Sequence, residues 1–293
     1  MSVLPASTPA PPEPWLDGPA DSVAAARRWW GPVVLHSDGA RYFRIGPFEL
    51  WFERHAGQWT AHHRSGRDPR DERLEIDRDG DDADVPAVPD AGCSVVHFAL
   101  PADAQGLSLQ PLLADRSVVL TPARPLILQA GGSAMLFAAS PIWLALNSLP
   151  DQRLLLELPL LRPSDTWFGD TNDGELCYAS RLLAAREVSE LLRLPHRAIT
   201  PLHITNARSE PMLVERINVP VRSLSLFQSS DGQLWTEPVR LTSERGSPLA
   251  TVTRSGAAPA EALAATRVAE PRDPSGMHFS ARVFFGFLGG GNG

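Results

Sequence analysis

Residues 165–181 hold the densest group of side chains in the sequence that could do chemistry. The carboxylates of this stretch could act as a pair, one protonated and one ionised, as glycoside hydrolysis requires. Its aromatic rings could stack against a sugar or a base, and its arginine could hold an anion in a bidentate fork. With one tryptophan further upstream, the candidate ligand-binding or interface residues are Trp143, Asp165, Trp167, Phe168, Asp170, Glu175 and Arg181.

The same stretch also has a structural interpretation. Asn172-Asp-Gly174 is a typical turn sequence, and Trp167 with Phe168 could fill the junction between two domains. No residue is assigned as catalytic, because Ser140 lacks the Gly-x-Ser-x-Gly elbow and Cys177 has no histidine near it in the sequence. The sequence favours the structural interpretation and keeps ligand binding as the alternative.

Composition excludes several classes of function. The chain has 293 residues, a formal net charge of -7 and a pI of about 5.6, which argues against binding to the phosphate backbone of nucleic acids. The sequence contains arginine but no lysine. Schiff-base chemistry and phosphate loops both need lysine, so both are excluded.

Metal and cofactor signals are also weak. Cys93 and Cys177 are the only cysteines, fewer than the ligands of a closed zinc site. The adjacent His62 and His63 would point to opposite faces of a strand, and Cys93 with His97 lacks a second pair at ligand spacing. We therefore predict no bound metal and no cofactor.

The sequence also predicts where the chain resides. Residues 1–14 are rich in proline and lack the basic segment and apolar run of a secretory signal. No stretch reaches the ~18 apolar residues that a membrane helix needs. We predict no membrane insertion and a cytoplasmic location.

Short apolar runs separated by Gly, Pro, Asn and Asp recur along most of the chain, which is typical of a β-sandwich or barrel. The length favours two domains. We predict an all-β fold of two antiparallel β-sandwich-like domains with a few short helices. The predicted segments are a proline-rich tail and short helix at 1–32, an N-terminal β domain at 33–161 with an acidic loop at 64–90, and a C-terminal β-sandwich domain at 162–293.

Four local patterns give testable predictions. Two hairpins are predicted, one formed by residues 33–36 and 41–45 and the other by residues 48–52 and 59–62. The apolar positions after Met212 shift phase near Glu215, which predicts a β-bulge. The acidic loop is predicted to be a long surface loop or a hairpin extension with nothing to bury. Short helices are predicted at residues 23–30, 182–194 and 258–267, although residues 177–183 could equally form a strand.

Several motifs occur in the order found in one known family. They are Ser140-Pro-Ile-Trp143, Thr166-Trp-Phe-Gly-Asp170, Gly174-Glu-Leu-Cys-Tyr178, Glu210-Pro-Met-Leu-Val-Glu-Arg216 and Leu234-Trp-Thr-Glu237. In these motifs the chain resembles a family of prokaryotic proteins catalogued as a domain of unknown function, over about residues 33–287. The resemblance implies a mostly β protein, assigns no catalytic residues, and implies a membrane-protein partner such as a small mechanosensitive channel.

Together these observations predict a non-enzymatic protein-interaction or regulatory module with a protein partner, no nucleic-acid partner, and residues 165–181 at a domain junction. The alternative is a carbohydrate- or phosphate-binding protein, or a hydrolase, that uses the same stretch. A third possibility is a homo-oligomer that assembles through the strand at residues 284–288.

Overall fold

The structure of the chain is a computed structural model that describes residues 28–33, 35, 39–76, 85–100, 106–243, 249–274, 278–281 and 283–285. The predicted tail at 1–14, most of the predicted helix at 23–30 and part of the acidic loop lie outside these ranges. The all-β prediction is confirmed, since strands make up 54% and helices 3% of the structure. The helical elements in the described part are two 3₁₀ turns, Val188–Glu190 and Val221–Ser223.

The strands are numbered in chain order. The first twelve are β1 (Gly31–Val33), β2 (Ala40–Ile45), β3 (Phe48–His55), β4 (Gln58–Ser65), β5 (Leu74–Ile76), β6 (Ser94–Phe98), β7 (Gly106–Leu113), β8 (Val118–Leu120), β9 (Leu126–Leu128), β10 (Ser133–Leu149), β11 (Leu154–Pro159) and β12 (Ser164–Phe168). The others are β13 (Glu175–Ala179), β14 (Arg197–Asn206), β15 (Met212–Val214), β16 (Arg216–Val219), β17 (Leu226–Gln228), β18 (Leu234–Thr236), β19 (Val239–Ser243), β20 (Ala250–Arg254), β21 (Thr266–Ala269), β22 (His278–Ala281) and β23 (Phe284–Phe285).

A five-stranded meander, β5-β2-β3-β4-β6, forms the first sheet. The predicted hairpin of β3 and β4 is confirmed. The hairpin predicted for residues 33–45 is wrong, because β1 pairs with β7 in another sheet while β2 pairs with β3 and β5. The acidic loop is also not confined to the surface: it contributes β5, and its Pro86 carbonyl accepts a 2.9 Å hydrogen bond from the buried Trp51 indole.

The long strand β10 organises the largest sheet. Its first half pairs with β14, and its second half lies between β7 and β11. Pro141, which has no N–H to donate, lies where the partner strand changes. Every residue from Leu136 to Ser148 is buried, so β10 has the continuous apolar pattern of a strand covered on both faces. The pairing of β10 with β14 connects segments from both sides of the predicted domain boundary at residue 161. The division into two domains stays a prediction.

A second five-stranded sheet has the order β12-β13-β8-β16-β23 and carries the candidate stretch. Here β13 and β8 run parallel, while β16 pairs antiparallel with β8. The β-bulge predicted near Glu215 is wrong, because the chain changes sheets at this point. The strand β15 pairs with β9, and β16 joins this sheet. Inward-facing side chains therefore change from even to odd positions.

Two of the predicted helices are wrong. Residues 182–194 are mostly irregular, with one 3₁₀ turn, because the backbone of Ala184 and Ala185 bonds to Thr121 and Phe137 instead of forming helical bonds. Residues 258–267 form turns that lead into β21. Among the described residues, no helix has the length and apolar character needed to span a membrane.

Candidate functional site

The candidate stretch forms an antiparallel hairpin of β12 and β13. Asp165 pairs with Tyr178, and Trp167 pairs with Leu176. Side chains alternate between the faces of a strand, so these four residues share one face of the hairpin. We call this the outer face. The opposite, inner face carries Thr166, Phe168, Glu175 and Cys177.

Among the described residues, β12 pairs with β13 alone and is therefore an edge strand of the sheet. The N–H of Tyr178 donates to the Ser117 carbonyl, 2.9 Å away, so the polar groups of Tyr178 point away from β12. In an antiparallel pair, two opposite residues both direct their backbone N–H and C=O groups toward the partner strand or both direct them away, and the two directions alternate along the strand. Asp165 is opposite Tyr178, and Trp167 is two residues further along β12. Both therefore direct their N–H and C=O groups away from β13. These groups form the open edge of the sheet, except that the Trp167 C=O accepts a 3.5 Å hydrogen bond from the Arg216 guanidinium.

The outer face exposes an apolar pair. Trp167 and Leu176 are directly opposite each other, and each is 48% exposed. The indole N–H of Trp167 donates to the Asp170 carbonyl at 3.0 Å, which fixes the ring over the turn. Gly174 permits this position, since a Cβ there would collide with the indole.

Two arginines border the apolar pair. Arg116 and Arg162 both bond to the carboxylate of Asp165, at 3.2 and 3.3 Å. Their guanidinium groups lie 5.3 and 5.9 Å from the centre of the Tyr178 ring. Tyr178 is buried and donates to Asp115 at 2.9 Å, and burial raises the pKa of its hydroxyl. Two positive charges thus share one carboxylate at this edge.

Trp143 packs against Tyr178, the buried member of the outer face. It is buried on β10, and its ring centre lies 5.4 Å from that of Tyr178. This contact connects the large sheet to the hairpin. Trp143 therefore positions Tyr178 and is not itself on the surface.

The inner face is packed. Phe168 and Cys177 are fully buried in a cluster with Val119, and the Arg216 guanidinium lies 5.5 Å from the centre of the Phe168 ring. Burial raises the pKa of the Cys177 thiol to about 12, which opposes formation of a thiolate nucleophile. The inner face holds the hairpin on the sheet.

The predicted residues are thus divided between two faces. Asp165 lies on the outer face, whereas Glu175 lies on the inner face and accepts a hydrogen bond from Asn218. These two carboxylates do not converge on one ligand. Asp170 lies in the turn and Arg181 is exposed beyond β13. In the described ranges, no group of three or more His, Cys, Asp or Glu side chains could hold a metal ion.

Sequence reasoning did not identify three contributors to the outer face. The three-residue spacing of Arg162 and Asp165 could have indicated an ion pair. Arg116 gives no such signal, because it reaches the hairpin through the pairing of β8 with β13. Leu176 looks like a core residue by type, and only the register shows that it is opposite an exposed tryptophan.

Comparison with curated proteins and with solved structures finds no match. A family model does match, over residues 29–288, and its description is "Protein of unknown function (DUF432)". The match spans most of the chain and includes the whole hairpin. The chain therefore belongs to the DUF432 family.

Proposed function

We propose that the chain is a protein-interaction module and that the outer face of the hairpin, with the open edge of β12, is its contact surface. The partner is a protein with an extended segment that carries an apolar residue next to an acidic one. The observation that carries this proposal is the exposed pair formed by Trp167 on the edge strand β12 and Leu176 opposite it on β13.

The side chains of the outer face resemble the centre of a protein interface. Tryptophan and arginine are the residue types most often found to dominate binding energy at interfaces. Trp167 is held in one orientation by its bond to the Asp170 carbonyl, so little conformational entropy is lost when a partner covers it. Exposed aromatics of this kind mark an interface.

Backbone and charge support the same partner. The outward N–H groups of Asp165 and Trp167 and the outward C=O of Asp165 can pair with an extended segment, as in β-strand addition, while the Trp167 C=O accepts a 3.5 Å hydrogen bond from the Arg216 guanidinium. The guanidinium groups of Arg116 and Arg162 lie at this surface, where they can pair with an acidic residue of the partner.

The kind of partner follows from the family resemblance, which suggests a membrane protein such as a mechanosensitive channel, bound on its cytoplasmic side. Carbohydrate or phosphate binding, or hydrolysis, at the same stretch stays a prediction. The geometry favours it less, since Asp165 is held by two arginines and Glu175 is on the other face.

Proteins captured by the immobilised chain and quantified by mass spectrometry test this proposal. The Trp167→Ala variant is expected to reduce capture of the partner at least tenfold, by roughly the 2 kcal/mol typical of a central interface residue. Leu263→Ala is the matched control, because Leu263 is 71% exposed but lies outside the hairpin.

Two results would contradict the proposal. One is that no protein is captured above background. The other is that wild type, Trp167→Ala and Leu263→Ala capture the same proteins equally. Capture of a second copy of this chain would identify a self-association surface and would also count against a separate partner.

A further inference from the structure

A cleft of about 220 Å³ opens where the segment after β8 meets residues 184–190. None of the hairpin residues lines it, so it is separate from the proposed contact surface. Its apolar wall includes Pro122, Pro125, Leu126 and Leu136. Such a wall suits an apolar part of a ligand.

Backbone hydrogen bonds on two sides fix the shape of the cleft. Ala184 donates to Thr121 at 2.9 Å and accepts from Ala123 at 2.8 Å. Ala185 exchanges two bonds with Phe137, at 2.8 and 2.9 Å. The backbone next to Ala123 and Ala185 is therefore fixed before any ligand arrives, which reduces the cost of ordering the backbone on binding.

Those next residues are arginines. Arg124 and Arg186 both line the cleft, and in the described part of the chain neither guanidinium has a hydrogen bond or an ion pair. The carboxylate that lines the cleft belongs to Glu190, and its Oε2 accepts from the backbone N–H groups of Arg186 and Glu187, at 3.1 and 3.4 Å. Two unpaired positive charges thus face one carboxylate that is already engaged.

We propose that this cleft binds a small organic anion, a carboxylate or a phosphate monoester, with an apolar body. The guanidinium forks of Arg124 and Arg186 match the planar or tetrahedral oxygens of either head group. The apolar body lies on Pro122, Pro125 and Leu126. The volume corresponds to roughly seven water molecules, which fits a ligand of metabolite size.

Isothermal titration calorimetry with phenyl phosphate and benzoate tests the proposal. The probe that binds more tightly identifies the preferred head group. Inorganic phosphate and acetate, which lack the apolar body, are expected to bind more weakly. The Arg124→Gln/Arg186→Gln variant is expected to weaken binding by about 10- to 100-fold, the worth of hydrogen bonds to a charged group. Ala123→Leu, which fills the cleft without a change of charge, is expected to weaken it as well.

Arg240→Gln is the control, because Arg240 is exposed on β19 and does not line the cleft. It is expected to bind both probes like wild type. The proposal is overturned if neither aromatic probe gives saturable heat at millimolar concentration, or if the double arginine variant binds unchanged. Inorganic phosphate that binds as tightly as phenyl phosphate would also overturn it. Trp167→Ala should bind the probes normally, so failure here is distinct from failure of the interaction surface.

Discussion

Glu237→Gln is expected to lower the free energy of unfolding by about 3 to 5 kcal/mol, the usual cost of removing one partner from a buried ion pair. Glu237 is fully buried and lies 3.4 Å from the Arg254 guanidinium, which is also buried. Its carboxylate also accepts from the backbone of Ser225, at 2.9 Å, and of Gly256. One side chain thus joins the ends of β17, β18 and β20, and the amide would remove the negative charge that Arg254 pairs with.

Glu270→Gln is the matched control in urea denaturation. Glu270 pairs with Arg267 three residues away but is 70% exposed, so the same substitution is expected to cost no more than about 1 kcal/mol. Equal losses in the two variants would show that the Glu237 pair contributes no more than a surface pair. That result would contradict the burial of this network.

Phe168→Ala is expected to cost about 3 to 5 kcal/mol, the range for truncation of a buried phenylalanine. The ring fills the space between Val119, Cys177 and the Arg216 guanidinium, and it is fully buried. Its loss leaves a cavity under the hairpin. We therefore expect the contact surface to lose its fixed position along with the stability.

The neighbouring Trp167→Ala separates stability from binding. Trp167 is on the outer face and half-exposed, so the free energy of unfolding is expected to change by about 1 kcal/mol or less. Urea denaturation of the two variants measures the difference. If Trp167→Ala costs as much as Phe168→Ala, the two residues do not lie on opposite faces as described.

Much of the fold could be predicted because turns and alternation are local. Asp231-Gly232 predicts the hairpin of β17 and β18, and Gly232 has a φ of 79°, which that turn needs. The strand β10 could be predicted only in pieces, since Ala138-Ala-Ser-Pro141 has neither alternation nor β propensity. These small residues form a strand because they pair with β14, which lies about 60 residues further along the chain.

The position of the candidate site in the sequence could be predicted, but which of its side chains are exposed could not. The aromatic and acidic types in residues 165–181 identified the hairpin, and the turn signal at Asn172-Asp-Gly174 was sound. Which aromatic is exposed depends on the pairing of β13 with β8, a parallel contact between distant segments. The cleft with Arg124 and Arg186 gave no signal for the same reason, because Ala123 and Ala184 meet only in the fold.

The central claim is that a partner protein binds the open edge of β12, and proline at position 165 tests it most directly. The Asp165 N–H points away from β13, so proline there blocks pairing at the edge and leaves the hairpin intact. Asp165→Ala is the control, because it removes the same carboxylate but keeps the N–H. Capture of the partner by Asp165→Pro is expected to be at least about tenfold weaker than by Asp165→Ala. Equal capture by the two variants would contradict binding through this edge.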